Sequence, residues 1–243
     1  MFKIASLSDR GLKRDNNEDA IYVNNEFGTF MVADGMGGHE KGEVASKIAI
    51  ESFMPIVFGN LKHLPKNEDD TIVPYLQIED ELNECVNAAT EKIISYSNNM
   101  GINGVMGTTI VGVKYLAYIR AWILFYLGDS RAYHFKNNSL LQLTTDHSQY
   151  EENGGSKKNI ITKAIGNFAP YKLDIKYFAA DPGDILLLCS DGVTDFCSND
   201  ELLLLIIRYR FNLNLLCEQI RSLVFARGAN DNLSIIAIEI IEE

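Results

Sequence analysis

The chain has 243 residues, 47% of them hydrophobic and 23% charged, ordinary values for a globular protein able to bury roughly 70% of its unfolded surface. Its net charge of −11 excludes the broad basic face that nucleic-acid binding requires. An acidic chain still handles anionic substrates where bound divalent cations reverse the local sign.

Four cysteines (Cys85, Cys189, Cys197, Cys217) are scattered without a C-x-x-C pair. That pattern points to reduced thiols in a cytoplasmic protein, not to a disulfide framework or a zinc site. No basic region with a long apolar core opens the chain, so no secretory signal is read. The most apolar run, Tyr115 to Leu127, is broken by Arg120 and is too short to span a bilayer.

In chain order, Phe2 to Leu7 alternates as a strand, and Ser8 to Asn17 is a polar loop. Ala20–Asn24 and Thr29–Ala33 read as strands joined by a turn at Asn25–Gly28. Glu43 to Val57 has apolar residues at helical spacing, Asn60 to Pro74 is polar, and Pro74 to Asn98 predicts a long helix. The break from Asn98 to Gly107 is a tempting domain boundary. Each half would then be too short for its own sheet, so one domain over 1–243 is expected.

Thr108–Tyr115, Ile119–Leu127, Arg131–Phe135 and Leu140–Leu143 predict an antiparallel series. Thr145 to Lys158 is a polar excursion. Leu173–Ala179 and Asp184–Cys189 are strands around an Asp181-Pro182-Gly183 turn. Helices follow over Glu201–Arg210 and Leu213–Phe225, and Leu233–Ile240 closes the chain as a strand. Connections too short for crossover helices favour antiparallel sheets with helices packed outside, an α+β sandwich.

One pattern carries chemistry. The apolar run Phe30–Ala33 stops at Asp34, and three glycines follow within four positions. Ile185 to Ser190 leads into Asp191-Gly192, Tyr126-Leu127-Gly128 leads into Asp129, and Asp231-Asn232 precedes the last strand. One such site reads as a solvated turn. Four at strand ends point to oxygen ligands gathered at one sheet edge, the donor set of hard divalent cations such as Mg²⁺ and Mn²⁺.

The stretches Arg14-x-x-Asn17-Glu18-Asp19, Asp34-Gly35-Met36-Gly37-Gly38, Gly107-Thr108-Thr109, Gly128-Asp129-Ser130-Arg131-Ala132, Thr145-Asp146-His147-Ser148, Ser190-Asp191-Gly192-Val193-Thr194-Asp195 and Asp231-Asn232 occur in that order. In this the chain resembles the metal-dependent Ser/Thr protein phosphatases, the PPM or type 2C family, and most of all its compact bacterial members.

The resemblance implies an α-β-β-α sandwich with two Mn²⁺ or Mg²⁺ ions between two antiparallel sheets. Asp34 would bridge both ions, Gly35 would offer its carbonyl, and Asp191 and Asp231 would hold the second ion. Glu18 and Asp19, with Asp195 and Asn232, would support the ligands and waters from behind. Asp129 with Asp191 matches a third, weaker site. Arg14 would bind the phosphoryl group through two parallel hydrogen bonds. A metal-bridging water would then attack phosphorus in phosphoserine or phosphothreonine proteins. A cognate Ser/Thr kinase is the implied opposing partner.

Two departures stand out. Met36 replaces a His proposed as proton donor in animal relatives, and a thioether donates no proton. Only Gln149 to Asn159 fills the place of a longer flap in many bacterial relatives. The rival readings are an enzyme for other phosphoesters, and a non-catalytic phosphoprotein-binding module on the same fold.

Overall fold

The computed structural model describes residues 2–37, 41–58, 72–102, 105–117, 120–148, 160–166 and 171–241. The elements run β1 (Phe2–Asp9), β2 (Asp19–Asn24), β3 (Thr29–Gly37), α1 (Gly42–Ser52), α2 (Met54–Phe58), α3 (Ile72–Asn99), β4 (Met106–Thr108), β5 (Ile110–Leu116), β6 (Ala121–Leu127), β7 (Arg131–Lys136) and β8 (Ser139–Gln142). They continue with β9 (Asp174–Phe178), β10 (Ile185–Cys189), α4 (Asp191–Thr194), α5 (Asn199–Tyr209), α6 (Leu213–Ala226) and β11 (Leu233–Ile240).

Two sheets form. One has the order β1-β11-β10-β7-β8, and the other β2-β3-β5-β6-β9 with β4 added against β3. Every pairing is antiparallel.

Strand alternation sorts the apolar residues into three cores. Phe30 and Val32 of β3, Trp122 and Leu124 of β6, Leu186 and Leu188 of β10 and Ile236 and Ile238 of β11 face one another in the seam between the sheets. The opposite phase of β3, Met31 and Ala33, packs under α1 and α3 through Ala45, Ala49, Leu82 and Ile93. The opposite phase of β10 and β11 packs under α5 and α6 through Leu202, Ile206, Leu216 and Ile220. Three cores separate four layers, so the α+β reading as an α-β-β-α sandwich holds. The central strands bury both faces, which explains why β5, β6 and β10 read as continuous apolar runs instead of clean alternation.

The helix ends follow local chemistry. Ser198 caps α5 in a reciprocal capping box with Glu201. The Asn212 side chain accepts from the Leu215 N–H at 3.1 Å to start α6.

Three expectations are corrected. β3 does not stop at Asp34 but continues to Gly37 by changing partner. Thr29–Val32 pair with β5, whereas Gly35–Gly37 pair with β4. The predicted strand Thr108–Tyr115 is two strands, broken at Thr109. The break supplies the Asp34 backbone: the Thr109 N–H and the Thr108 hydroxyl both donate to the Asp34 carbonyl at 2.9 Å. The helix predicted over Glu43–Val57 divides at Phe53. Most of the polar stretch from Asn60, the shortened flap at Gln149–Asn159, and Gly38 with His39 lie outside the described residues.

Candidate metal centre

The register places the sequence-derived acidic residues at one end of the sandwich. In one sheet β2 begins at Asp19, which pairs with Asp34 of β3. In the other, Cys189 at the end of β10 pairs with Arg131 at the start of β7 and with Ile235 near the start of β11. Asp191 follows the first of these strands, and Asp129 and Asp231 precede the other two. Gly128-Asp129-Ser130 links β6 to β7 and so crosses from one sheet to the other at this same end.

Here the seam changes from apolar to polar. Asp34 is in phase with Phe30 and Val32, Ser190 with Leu186 and Leu188, and Ser234 with Ile236 and Ile238, all seam residues. The opposite end is closed by aromatic packing of Phe2, Phe30, Tyr115 and Trp122, with Phe2 and Trp122 ring centroids 5.1 Å apart.

Polar contacts fix the acidic groups from behind. The Ser190 hydroxyl donates to Asp19 Oδ2 at 2.8 Å and accepts from the Ser234 N–H at 2.9 Å. The Glu18 N–H donates to Asn232 Oδ1 at 2.8 Å, and Asn232 Nδ2 donates to the carbonyls of Arg10 and Asn16, each at 2.9 Å. Asn232 thus ties the loop carrying Arg14 to the segment carrying Asp231. The Glu18 carbonyl accepts from Ser46 Oγ at 2.6 Å and from the Gly35 N–H at 3.2 Å. A Cβ on Gly35 would sit 2.2 Å from the Gly42 carbonyl oxygen, so only glycine lets β3 run this close to the start of α1. The Thr109 hydroxyl accepts from the Asp34 N–H at 3.0 Å and bonds Ser130 Oγ at 2.8 Å.

Ser190, Ser234, Ser46 and Thr109 were not singled out as site residues. Ser234 and Ser46 carry no sequence signal, because a hydroxyl at a strand end or on a helix is commonplace. Ser190 and Thr109 lie inside recognised motifs, yet their contacts appear only with the register.

Burial dominates the electrostatics, and repulsion between the carboxylates adds to it. Burial pushes Asp19 up to about 6, a rise that hydroxyl hydrogen bonds from Ser234 and Ser190 oppose. Burial and the charge of Asp146 push Asp129 up to about 6. Asp191 rises to about 8 through burial and the charges of Asp129, Asp231 and Asp195. Asp34 is pushed well above the carboxylate range by burial and by Asp19, Asp191 and Asp129, and it hydrogen-bonds Asp191. Burial also raises Glu18, partly opposed by a hydrogen bond from the Gly42 N–H.

A divalent cation reverses each of these interactions. Asp19 Oδ1 and Asp129 Oδ1 are buried without a hydrogen-bond partner, a cost that a cation or its waters removes. The donors are all hard oxygens, so the residues fit Mg²⁺ or Mn²⁺. Among the described residues no three acidic, imidazole or thiol groups already form a closed cage. Ions that retain several waters need few side-chain donors each.

Arg14 is exposed and its Nη2 donates to Asp231 Oδ2 at 2.7 Å. Its guanidinium therefore stands at the rim of the acidic cluster. Asp195 is exposed beside Asp191 and its N–H donates to the Asp191 carbonyl at 2.8 Å. Met36 is half-buried on β3, two residues beyond Asp34. His147 lies behind the Asp129 loop. Its Nδ1 accepts from the Gly128 N–H at 3.0 Å, which places the ring away from the role of a proton donor at the rim.

Fold and site together define a class: a four-layer α-β-β-α sandwich whose seam ends in a carboxylate cluster suited to hard divalent cations. A family model described as protein phosphatase 2C matches residues 12–222. A protein phosphatase 2C-type chain of Streptococcus pyogenes is 32% identical over 248 residues, covering 96% of this chain and 95% of that one. The serine/threonine phosphatase stp of Listeria welshimeri is 30% identical, covering 96% and 93%. Among solved structures, the catalytic domain of the serine/threonine protein phosphatase PstP, in complex with two manganese ions, matches with a TM-score of 0.81 at 26% identity over 99% of both chains. The chain belongs to the protein phosphatase 2C family.

Proposed function

We propose that this protein is a metal-dependent phosphatase of phosphoserine and phosphothreonine in proteins, acting as one domain over residues 1–243. The observation that carries the reading is the convergence of Asp19, Asp34, Asp129 and Asp191 from both sheets, each with a raised pKa. The two manganese ions of PstP support a binuclear centre, which in this chain Asp34, the Gly35 carbonyl, Asp191 and Asp231 would hold. Asp129 with Asp191 would hold a third, weaker ion. When bound, a pair of Mn²⁺ or Mg²⁺ ions supplies a water made nucleophilic near neutral pH and offsets phosphoryl charge.

The chain's own residues do the rest. Asp34 and Asp191 fix where the cations sit, because the backbone of Asp34 is held by Thr108 and Thr109 and that of Asp191 begins α4. Asp19 is oriented by Ser190, and Glu18 by Gly42 and Asn232. Arg14 binds two phosphoryl oxygens and presents phosphorus to the cluster, its planar guanidinium setting the angle. Met36 has no proton to give, so protonation of the leaving alkoxide falls to a donor other than this side chain.

A phosphatase of this kind opposes a Ser/Thr kinase. The four cysteines, free and buried, suit a reducing cytoplasm. Among the described residues no helix is long and apolar enough to cross a membrane.

The test is Mn²⁺-dependent hydrolysis of phosphothreonine peptides, with Asp34→Ala and Asp231→Ala as controls. Metal-dependent turnover lost in both variants is expected. Absence of turnover, or full activity in both, refutes the reading. Turnover restricted to small phosphoesters would favour the rival substrate class.

A further inference from the structure

The middle of helix α5 is apolar around its whole circumference: Leu202 to Ile207 are six consecutive Leu or Ile residues. Leu202 and Ile206 fill the core beneath it. The outer side leaves Leu204 65% and Ile207 40% exposed, and the turn that follows leaves Phe211 83% exposed. A single exposed leucine is unremarkable. Here the exposed apolar residues lie together at the centre of the outer face, where a surface helix ordinarily carries polar ones.

The charges on that face say what covers it. Asp200, Leu204 and Arg208 are spaced by four and lie on one stripe. Asp200 and Arg208 are exposed. Among the described residues the ion pairs of α5 and α6 involve Glu201, Glu218, Arg221 and Arg227, and neither Asp200 nor Arg208 takes part in one. Each suits the dipole of its own helix, acid in the first turn and base in the last. Together they make the stripe self-complementary, with a negative end, an apolar centre and a positive end.

We propose that this face of α5 is a docking surface for a second copy of the chain. When two α5 helices lie antiparallel about a twofold axis at Leu204, each Arg208 faces Asp200 of the second copy. The two ion pairs stand about 12 Å apart with the leucines between them. Ile207 and Phe211 extend the apolar centre symmetrically. A parallel, in-register pairing would set Asp200 against Asp200 and Arg208 against Arg208, so the charges select the antiparallel one. The inference stands independently of the catalytic reading.

Sedimentation of the full chain from about 1 µM to 200 µM tests it, because a single helix pair makes a small interface that assembles in the micromolar range. A concentration-dependent dimer is expected, weakened by salt. Leu204→Gln leaves both charges in place and is expected to yield monomer. Arg208→Asp sets like charges opposite one another twice and should raise the dissociation constant about tenfold or more. Arg208→Asp combined with Asp200→Arg restores the pairing and should return the constant to within about threefold of the wild type. Circular dichroism and phosphatase activity verify that each variant is folded. A wild-type monomer at every concentration overturns the proposal, even if a different protein binds through Leu204. So does a dimer unaffected by Leu204→Gln, or one that the double swap fails to restore.

Discussion

Replacing Asp191 with Asn should stabilise the metal-free protein near neutral pH, although it removes a proposed ligand. Asp191 is pushed up to about 8 from an ordinary 3.8, by burial first and then by Asp129, Asp231 and Asp195. Between those two values the native state holds a proton that the unfolded chain has released. The group's contribution to stability is therefore fully present below about pH 4 and is lost as the pH rises through about 8. At pH 7 the loss approaches about 4 kcal/mol at roughly 1.4 kcal/mol per pH unit, and it is shared with the neighbouring carboxylates.

Asn keeps the volume and carries no charge. A gain of about 2 kcal/mol at pH 8, near 5 °C in Tm for a chain of this size, is expected, with almost none at pH 4. Thermal melts by circular dichroism in chelator at pH 4, 6 and 8 read this directly. Saturating Mn²⁺ should invert the order, because ligand at a hundred times its Kd stabilises only the protein that binds it, by about 2.7 kcal/mol. An Asp191→Asn variant less stable than wild type in chelator at pH 8 would refute the repulsion described for this cluster.

Other outcomes follow from single contacts. Gly192→Ala places a Cβ 1.8 Å from the Asn232 carbonyl oxygen. It should cost about 3 kcal/mol or more in chemical denaturation, since the Cβ meets backbone and relief must shift the segments that carry Asp191 and Asp231. Arg14→Lys should lower kcat/KM on phosphopeptides nearly as much as Arg14→Ala, tenfold or more, because an ammonium cannot form the paired hydrogen bonds. Both should leave stability within about 1 kcal/mol, the Arg14–Asp231 contact being exposed. Among aryl phosphates the rate should depend steeply on leaving-group pKa, since Met36 supplies no acid. A flat dependence would assign the proton to another side chain.

The sheets were legible because β10 and β11 are long apolar runs bounded by turn residues, and β11 falls where its sequence placed it, at Leu233–Ile240. The site was legible because carboxylates at strand ends stand out against apolar runs. What was hidden depends on pairing. The run to Asp34 reads as a strand that stops, since glycines signal turns. The structure instead hands β3 from β5 to the three-residue β4, a partner too short to show a period. The helix break at Phe53 does have a marker in the sequence, Pro55, which lacks the N–H a continuing helix needs and sits in the first turn of α2. The hydroxyls that orient Asp19 are seam residues in phase with Leu188 and Ile236, and phase becomes visible only once the facing sheet is known.

Calorimetric titration of Mn²⁺ into chelator-treated protein asks most directly whether the carboxylate cluster is a two-ion centre. Two ions per chain are expected for the wild type, with proton release near pH 7 as Asp191 loses the proton that its raised pKa retains. Loss of both binding events is expected in Asp34→Ala. No binding by the wild type, or an unchanged isotherm in Asp34→Ala, would contradict it.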